Sequence, residues 1–265
     1  MKTYIKPILI AVIYMIMQAI AGIALIPVCA VFNPALGEAI ASGDAAAATA
    51  AIPASWLAIS VMLSGVATVI AASLMKLISW KTAFRFDGKQ ASEAWLPILA
   101  AITGIVAITV FEEQLQLEDI LEQEFSGMMH STVGIIAISL IAPIIEELCF
   151  REGIMGGLLR RGAKPWVAIA VSAAIFGLIH GNPVQIVGAG LMGIIFGIIY
   201  YKSGNIVLTT LLHVLNNSLA TVLTLTYGMD ASFSDFVGGT TVAIISGILC
   251  AVFSVAMFVR YWKLD

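Results

Sequence analysis

Charged residues make up only 11% of this 265-residue chain, against about 25% in an ordinary soluble domain. That shortage argues against a water-soluble globular fold. It also removes the basic stripes that nucleic-acid binding needs, so no nucleic-acid partner is expected. Cysteine is nearly as sparse. Cys29, Cys149 and Cys250 fall far apart in apolar stretches, without metal-type spacing, which argues against a disulfide framework and a cysteine-held metal. No internal repeat of the kind found in inverted-repeat transporters is visible. Two catalytic signatures are missing as well: there is no G-x-S-x-G elbow and no H-E-x-x-H helix. Lysine and arginine, finally, are absent from every second loop.

What remains is apolar. Hydrophobic residues account for 60% of the chain and the mean hydropathy is +1.03. Apolar runs long enough to cross a bilayer recur along the whole length. The fold class expected is all-α: a polytopic membrane protein of about eight transmembrane helices around an intramembrane polar site. The runs are Ile8–Phe32, Ala54–Ile78, Ala94–Phe111, Thr132–Leu159, Pro165–Gly181, Val184–Tyr201, Ile206–Leu225 and Gly238–Tyr261. The first is too long for a signal-peptide core and reads as a retained span. Gly193 and Gly197 form a G-x-x-x-G pair suited to close helix packing.

Loop charges fit this count. Lys2, Lys6, Lys76, Lys81, Arg85, Lys89, Arg160, Arg161, Lys164, Lys202, Arg260 and Lys263 all fall on the side of the termini. The opposite loops hold Glu38, Asp44, Glu112, Glu113, Glu118, Asp119, Glu122, Glu124, Asp230 and Asp235, with no Lys or Arg. The positive-inside rule therefore predicts a cell-membrane protein with both termini in the cytoplasm. The acidic stretch from Phe111 to Phe125 fits either a short surface helix or a solvated loop. The alanine-rich stretch Ala39–Ala51 receives no role.

Against this background Glu146 and Glu147 stand out. They close an apolar run that should lie inside the membrane, and each charge buried there costs about 2.5–3.5 kcal/mol on insertion scales. Arg151 lies four residues after Glu147, so the two side chains share a helix face. Glu152 falls in the same span; the other polar groups within spans that matter are His180, His213, Asn216 and Asn217, while His130 sits outside. Counting roughly 1.5 Å per residue from the basic edge puts Glu146 about 21 Å deep, His180 about 22 Å, Asn217 about 18 Å and His213 about 12 Å. One buried polar site is expected. A carboxylate or a neutral histidine could activate water as a base. A second histidine and an amide could then donate to an oxyanion. Two histidines and a glutamate, here Glu146, His180 and His213, are also a usual zinc set, and their spacing decides neither way.

At these residues the chain resembles the CPBP family of intramembrane proteases, the CAAX proteases and bacteriocin-processing enzymes of the Abi type. The motifs are Glu146-Glu147-Leu148-Cys149-Phe150-Arg151, Phe176 to His180, and His213 to Asn217. The likeness covers roughly Thr132 to Leu225. It implies one membrane domain over residues 1–265, with a catalytic core in 132–225 and a site open to the cytoplasm. By that resemblance Glu146 and His180 activate water, His213 and Asn217 stabilise the oxyanion, and Glu147 and Arg151 hold the site together. It implies an endopeptidase needing no cofactor, with zinc as the alternative, acting on a membrane-associated peptide or protein in the lipid bilayer. The compact loops look prokaryotic, where prenylated CAAX peptides are not expected, so another substrate is implied. The rival classes are a non-catalytic immunity or scaffolding protein and a proton-relay transporter.

Overall fold

The computed structural model describes residues 4–84 and 92–264; Lys2, Arg85 and Lys89 lie outside the described residues. Among the described residues the regular structure is helical, without strands. Seven helices are long and apolar enough to span a membrane. They are α1 (Ile5–Phe32), α4 (Ala54–Leu74), α6 (Trp95–Leu115), α8 (Thr132–Arg160), α10 (Pro183–Ser203), α11 (Val207–Tyr227) and α13 (Thr240–Trp262). Short helices fill the connections: α2 (Pro34–Ser42), α3 (Ala45–Ala50), α5 (Trp80–Ala83), α7 (Glu122–Met129) and α12 (Phe233–Val237). The remaining expected span is α9 (Pro165–Leu178), with only 14 residues. At 1.5 Å per residue it is about 21 Å long, short of a hydrocarbon core of about 30 Å.

Contacts at the two ends place α9, with the turn that follows it, between the basic and the acidic end of the bundle. The amide of Asn182, in that turn, donates to Asp119 Oδ1 at 2.7 Å, and its carbonyl accepts from Ile120 N–H at 3.3 Å. Both partners lie in the acidic connection after α6. The same end holds the α1–α4 connection, where Asn33 Nδ2 donates to Ala51 O, and α12, where Ser234 donates to Glu113. The basic residues sit at the other end. Arg160 Nη2 reaches Leu77 O, Ile206 N–H donates to Ala83 O, Lys202 Nζ donates to Leu264 O, and Gly157 lies against Pro7. One end of the bundle is basic and carries both termini, and the other is acidic.

Local sequence explains the connections. Asn33 Oδ1 caps α2 through Leu36 N–H, with Pro34 at the first helical position. Asp44 caps α3 through Ala47 N–H at 2.9 Å, so the alanine-rich stretch is two short helices. The acidic stretch is partly helical too: α6 runs on to Leu115, and α7 begins at Glu122.

Apolar side chains cover the outer faces of the long helices; Ile23 is 70% exposed and Val252 65%. Such faces suit lipid, where helices associate through close packing rather than hydrophobicity. Accordingly glycine marks the tight contacts. In the antiparallel α9–α10 hairpin, Gly193 meets Ala173, Gly197 meets Ile169, and Gly177 meets the backbone of Ile186 and Gly190. The G-x-x-x-G pair thus packs as its spacing suggests. Tyr14, Phe150, Met155, Phe176 and Tyr200 fill the core among α1, α8, α9 and α10.

Helix α8 departs from regular geometry. Residues Ala137–Ile141 and Glu147–Met155 form π-helical turns. Ala142 N–H bonds Ala137 O and Gly156 N–H bonds Arg151 O, each five residues back. Pro143 lies between the two segments and has no N–H to give. Such turns are rare and recur at functional sites.

A methyl group at Gly177 would lie 2.5 Å from Ile186 O and 3.2 Å from Gly190 Cα, both backbone atoms that cannot step aside. Gly177→Ala should therefore destabilise the hairpin by about 1–3 kcal/mol, the usual cost of overpacking. Gly190→Ala meets nothing closer than 3.9 Å and should be neutral or slightly stabilising. Thermal unfolding of both variants in one detergent checks the contrast. Equal melting would refute the close approach.

Candidate active site

Adjacent residues on a helix face different ways, and the two glutamates of α8 do so. Glu147 is fully buried, whereas Glu146 keeps 8% of its surface. Burying a carboxylate costs several kcal/mol unless partners replace its water. Glu147 has two. Its Oε1 accepts from His213 Nδ1 at 3.0 Å, and its Oε2 lies 3.3 Å from Arg151 Nε. The expected Glu147–Arg151 pair therefore forms on α8, and the bond from α11 adds His213 to it.

The arginine contact is an ion pair without hydrogen-bond alignment, and among the described residues neither Nη1 nor Nη2 meets an acceptor. The guanidinium rests on aromatic faces instead. Arg151 Cζ lies 4.3 Å from the centre of the Phe176 ring and 5.4 Å from that of Phe196. Both rings are buried and hold the cation by their quadrupoles. Phe176, the first residue of the second motif, also packs edge-on against His180 and His213 at 5.0 and 5.9 Å. One phenylalanine thus joins the arginine to both histidines.

These contacts fix the ring protons. A carboxylate and a carbonyl only accept, so each facing ring nitrogen must donate. His213 carries its proton on Nδ1 toward Glu147, and Nε2 faces Glu146 Oε2 at 3.6 Å. His180 donates from Nδ1 to Phe176 O at 2.7 Å, which leaves Nε2 as a lone-pair base in the neutral ring. Asn217 Nδ2 donates to Ile138 O at 3.1 Å, and its Oδ1 accepts from Asn216. A second N–H on Asn217 Nδ2 remains available.

Glu146, His180, His213 and Asn217 line one cavity of about 560 Å³, a size common for ligand sites. The sequence puts Glu146, His180 and Asn217 at about one level and His213 a turn nearer the basic edge, and all four line this cavity. Glu147 and Arg151 stay behind the wall. Ser172 donates to Phe150 O at 2.8 Å and has no triad; His130, bonded to Ser126 O, lies outside. Among the described residues no three His, Cys, Asp or Glu side chains are grouped to hold a metal ion, so the zinc set Glu146, His180 and His213 does not fit as a cluster.

Three features go beyond a reading of the sequence: the place of Glu112, the partners of Glu152 and the position of the cavity. Glu112, counted there as a loop residue, is in the last turn of α6 and lines the cavity with Tyr14 and Gln18 of α1. No motif signals them. Glu152 is wholly buried, and it binds Arg160 at 2.5 Å, Tyr200 at 2.7 Å and Thr82 at 3.3 Å. The third concerns access. The cavity reaches the acidic end of the bundle, where Asp119, Glu124 and Met229 join its lining.

Residues 128–219 match the family described as Type II CAAX prenyl endopeptidase Rce1-like. The chain is also 29% identical over 91 residues to the curated "Putative membrane peptidase YdiL" of Bacillus subtilis (strain 168). That alignment takes in 34% of this chain and 37% of the length of that relative. No solved structure matches. Both matches support a CAAX-type membrane protease at the family level, and the family match takes in all three motifs.

Arg151→Ala should cost about 3–5 kcal/mol, because it leaves Glu147 as a buried charge with one partner fewer. Arg151→Lys should restore only part of that loss, since an ammonium lacks the planar face that lies on Phe176. Thermal unfolding of the purified variants measures both, and wild-type melting of Arg151→Ala would remove the ion pair from the account.

Proposed function

We propose that this chain is a CPBP-type intramembrane endopeptidase. It hydrolyses a peptide bond of a membrane-associated protein or peptide with water activated by Glu146 and His180. The observation that carries the reading is the one cavity into which α8, the turn after α9 and α11 bring a carboxylate, two imidazoles and an amide.

In this reading the scissile carbonyl enters between Asn217 and His213, and water sits against Glu146 and His180. Oxygen of the water bonds to the carbonyl carbon as its proton passes to the Glu146 carboxylate or to His180 Nε2. The carbonyl oxygen becomes an oxyanion, which accepts from the second N–H of Asn217 Nδ2. His213 donates to it from Nε2 when that nitrogen carries a proton, which Glu146 Oε2, 3.6 Å away, is placed to exchange. The C–N bond then breaks, and the leaving amine takes the proton that the base received. Glu147 holds the His213 ring in register, and Arg151 holds Glu147. Both are positioning residues.

The roles carry different expected losses. A positioned base contributes about 10²–10⁴-fold, and one oxyanion donor about 10²–10³-fold. Glu146→Gln and His180→Ala should fall by the first amount, and Asn217→Ala by the second, all with wild-type melting. The measurement is cleavage of a membrane-peptide library by purified protein in bilayers, read by mass spectrometry. Cleavage undiminished in Glu146→Gln would exclude the mechanism. A wild type that cuts nothing would favour a non-catalytic role.

A further inference from the structure

The cavity has a closed end and an open end, and the two differ in kind. At the closed end, behind Glu146 and His213, lie Phe150, Arg151, Phe176 and Phe196, each no more than 1% exposed. Phe150 and Phe176 pack at 5.2 Å, and Arg151 lies against Phe176 and Phe196. Beyond this layer the buried Glu152 binds Arg160 and Tyr200, toward the basic end. Among the described residues, none of Leu77, Lys81, Glu152, Arg160 and Lys202 at the basic end lines the cavity.

At the open end the walls come from the acidic side. Asp119 and Glu124 follow α6, Gln185 opens α10, and Met229 follows α11. Glu124 is exposed and Asp119, Gln185 and Met229 are half-buried, whereas Glu146 at the floor is 8% exposed. Among the described residues no lysine or arginine lines the cavity. Both chain ends and the described basic loops belong to the far side. The positive-inside rule applies to those loops directly, as they are short and border the spans.

We infer that the site is reached from the extracytoplasmic face, so that its substrate is a membrane-bound polypeptide whose scissile segment is presented at the outer surface. This rests on the protease reading for the word substrate, but the direction of access stands on geometry and charge alone. A lipid-modified C-terminus displayed on the cytoplasmic leaflet would meet the aromatic–arginine barrier and the basic loops rather than the cavity.

Site-directed cysteine labelling tests the direction without any need for turnover. The full chain carries Cys250→Ala and one new cysteine at a time: Gln185→Cys or Met229→Cys in the cavity wall, Asp44→Cys at the acidic end, Lys164→Cys at the basic end. The probe is a sulfonated, membrane-impermeant maleimide, applied to spheroplasts before and after permeabilisation. The expected result is full labelling at 185, 229 and 44 in intact spheroplasts, with 164 labelled only after permeabilisation. Cys29 and Cys149 are buried, and the chain with Cys250→Ala alone sets the background. Labelling at 164 in intact spheroplasts would overturn the orientation. If 185 and 229 follow 164 instead of 44, or stay unlabelled in both conditions, the outward opening is overturned. Two cavity positions guard against one variant that misfolds. Failure of hydrolysis leaves the labelling pattern unchanged, so the two readings fail separately.

Discussion

The site depends on one carboxylate that never meets water. Glu147 is fully buried, and its two oxygens are divided between Arg151 of its own helix and His213 of α11. Each contact has a separate consequence. The arginine offsets the charge, so α8 can bury it in an apolar bundle. The histidine bond joins α8 to α11 and fixes which ring nitrogen carries the proton. Glu146 can then remain at the cavity wall, beside the nitrogen that Glu147 does not use. Neither glutamate can replace the other, because the helix turns them to opposite sides of one wall.

Aromatic rings separate that polar cluster from the basic end. Phe176 touches Arg151, His180, His213 and Phe150, so a single residue sets four groups relative to one another. This explains chemically why a phenylalanine stands four residues before His180: a cation held by a ring face needs no acceptor for its outer nitrogens. An aliphatic side chain would fill the same space and leave the guanidinium only the more distant Phe196 ring. The π-helical turn from Glu147 to Met155 carries Arg151 and Glu152 inward together, and both are fully buried. Arg151 faces the cavity side of the barrier and Glu152, through Arg160 and Tyr200, the basic side.

Much of this was legible in the chain. Long apolar runs gave the spans to within a few residues, because bilayer thickness leaves few other solutions. The i, i+4 pair of Glu147 and Arg151 and the meeting of Glu146, His180, His213 and Asn217 in one cavity followed from spacing and depth. The length of α9 was less legible. His180 and Gly181 continue the apolar run in sequence, but Gly181 adopts φ +65°, and the helix ends at Leu178. Glu112 was hidden for a related reason: its charge reads as a loop, yet α6 runs one turn further and the hairpin at Gly188 lies against the carboxylate. Nothing in composition distinguishes π from α turns, so the inward turn of Glu152 could not be read.

Charge segregation and cavity asymmetry are independent observations that bear on one question. The first comes from how loops are retained during insertion, the second from which side chains pack into a barrier. A bundle could carry its basic loops on either side of a given cavity without changing the packing inside. Here Asn182, in the α9–α10 turn, ties the open end to Asp119, while Arg160 ties the closed end to Leu77 and Glu152. The same two loops that define the charge asymmetry therefore also bound the cavity. Reversing its access would require either opposite insertion of the whole chain or a breach between Arg151, Phe176 and Phe196. The first would move nine described lysines and arginines across the membrane. The second would strand a buried cation, because the rings that would have to part are those that hold Arg151.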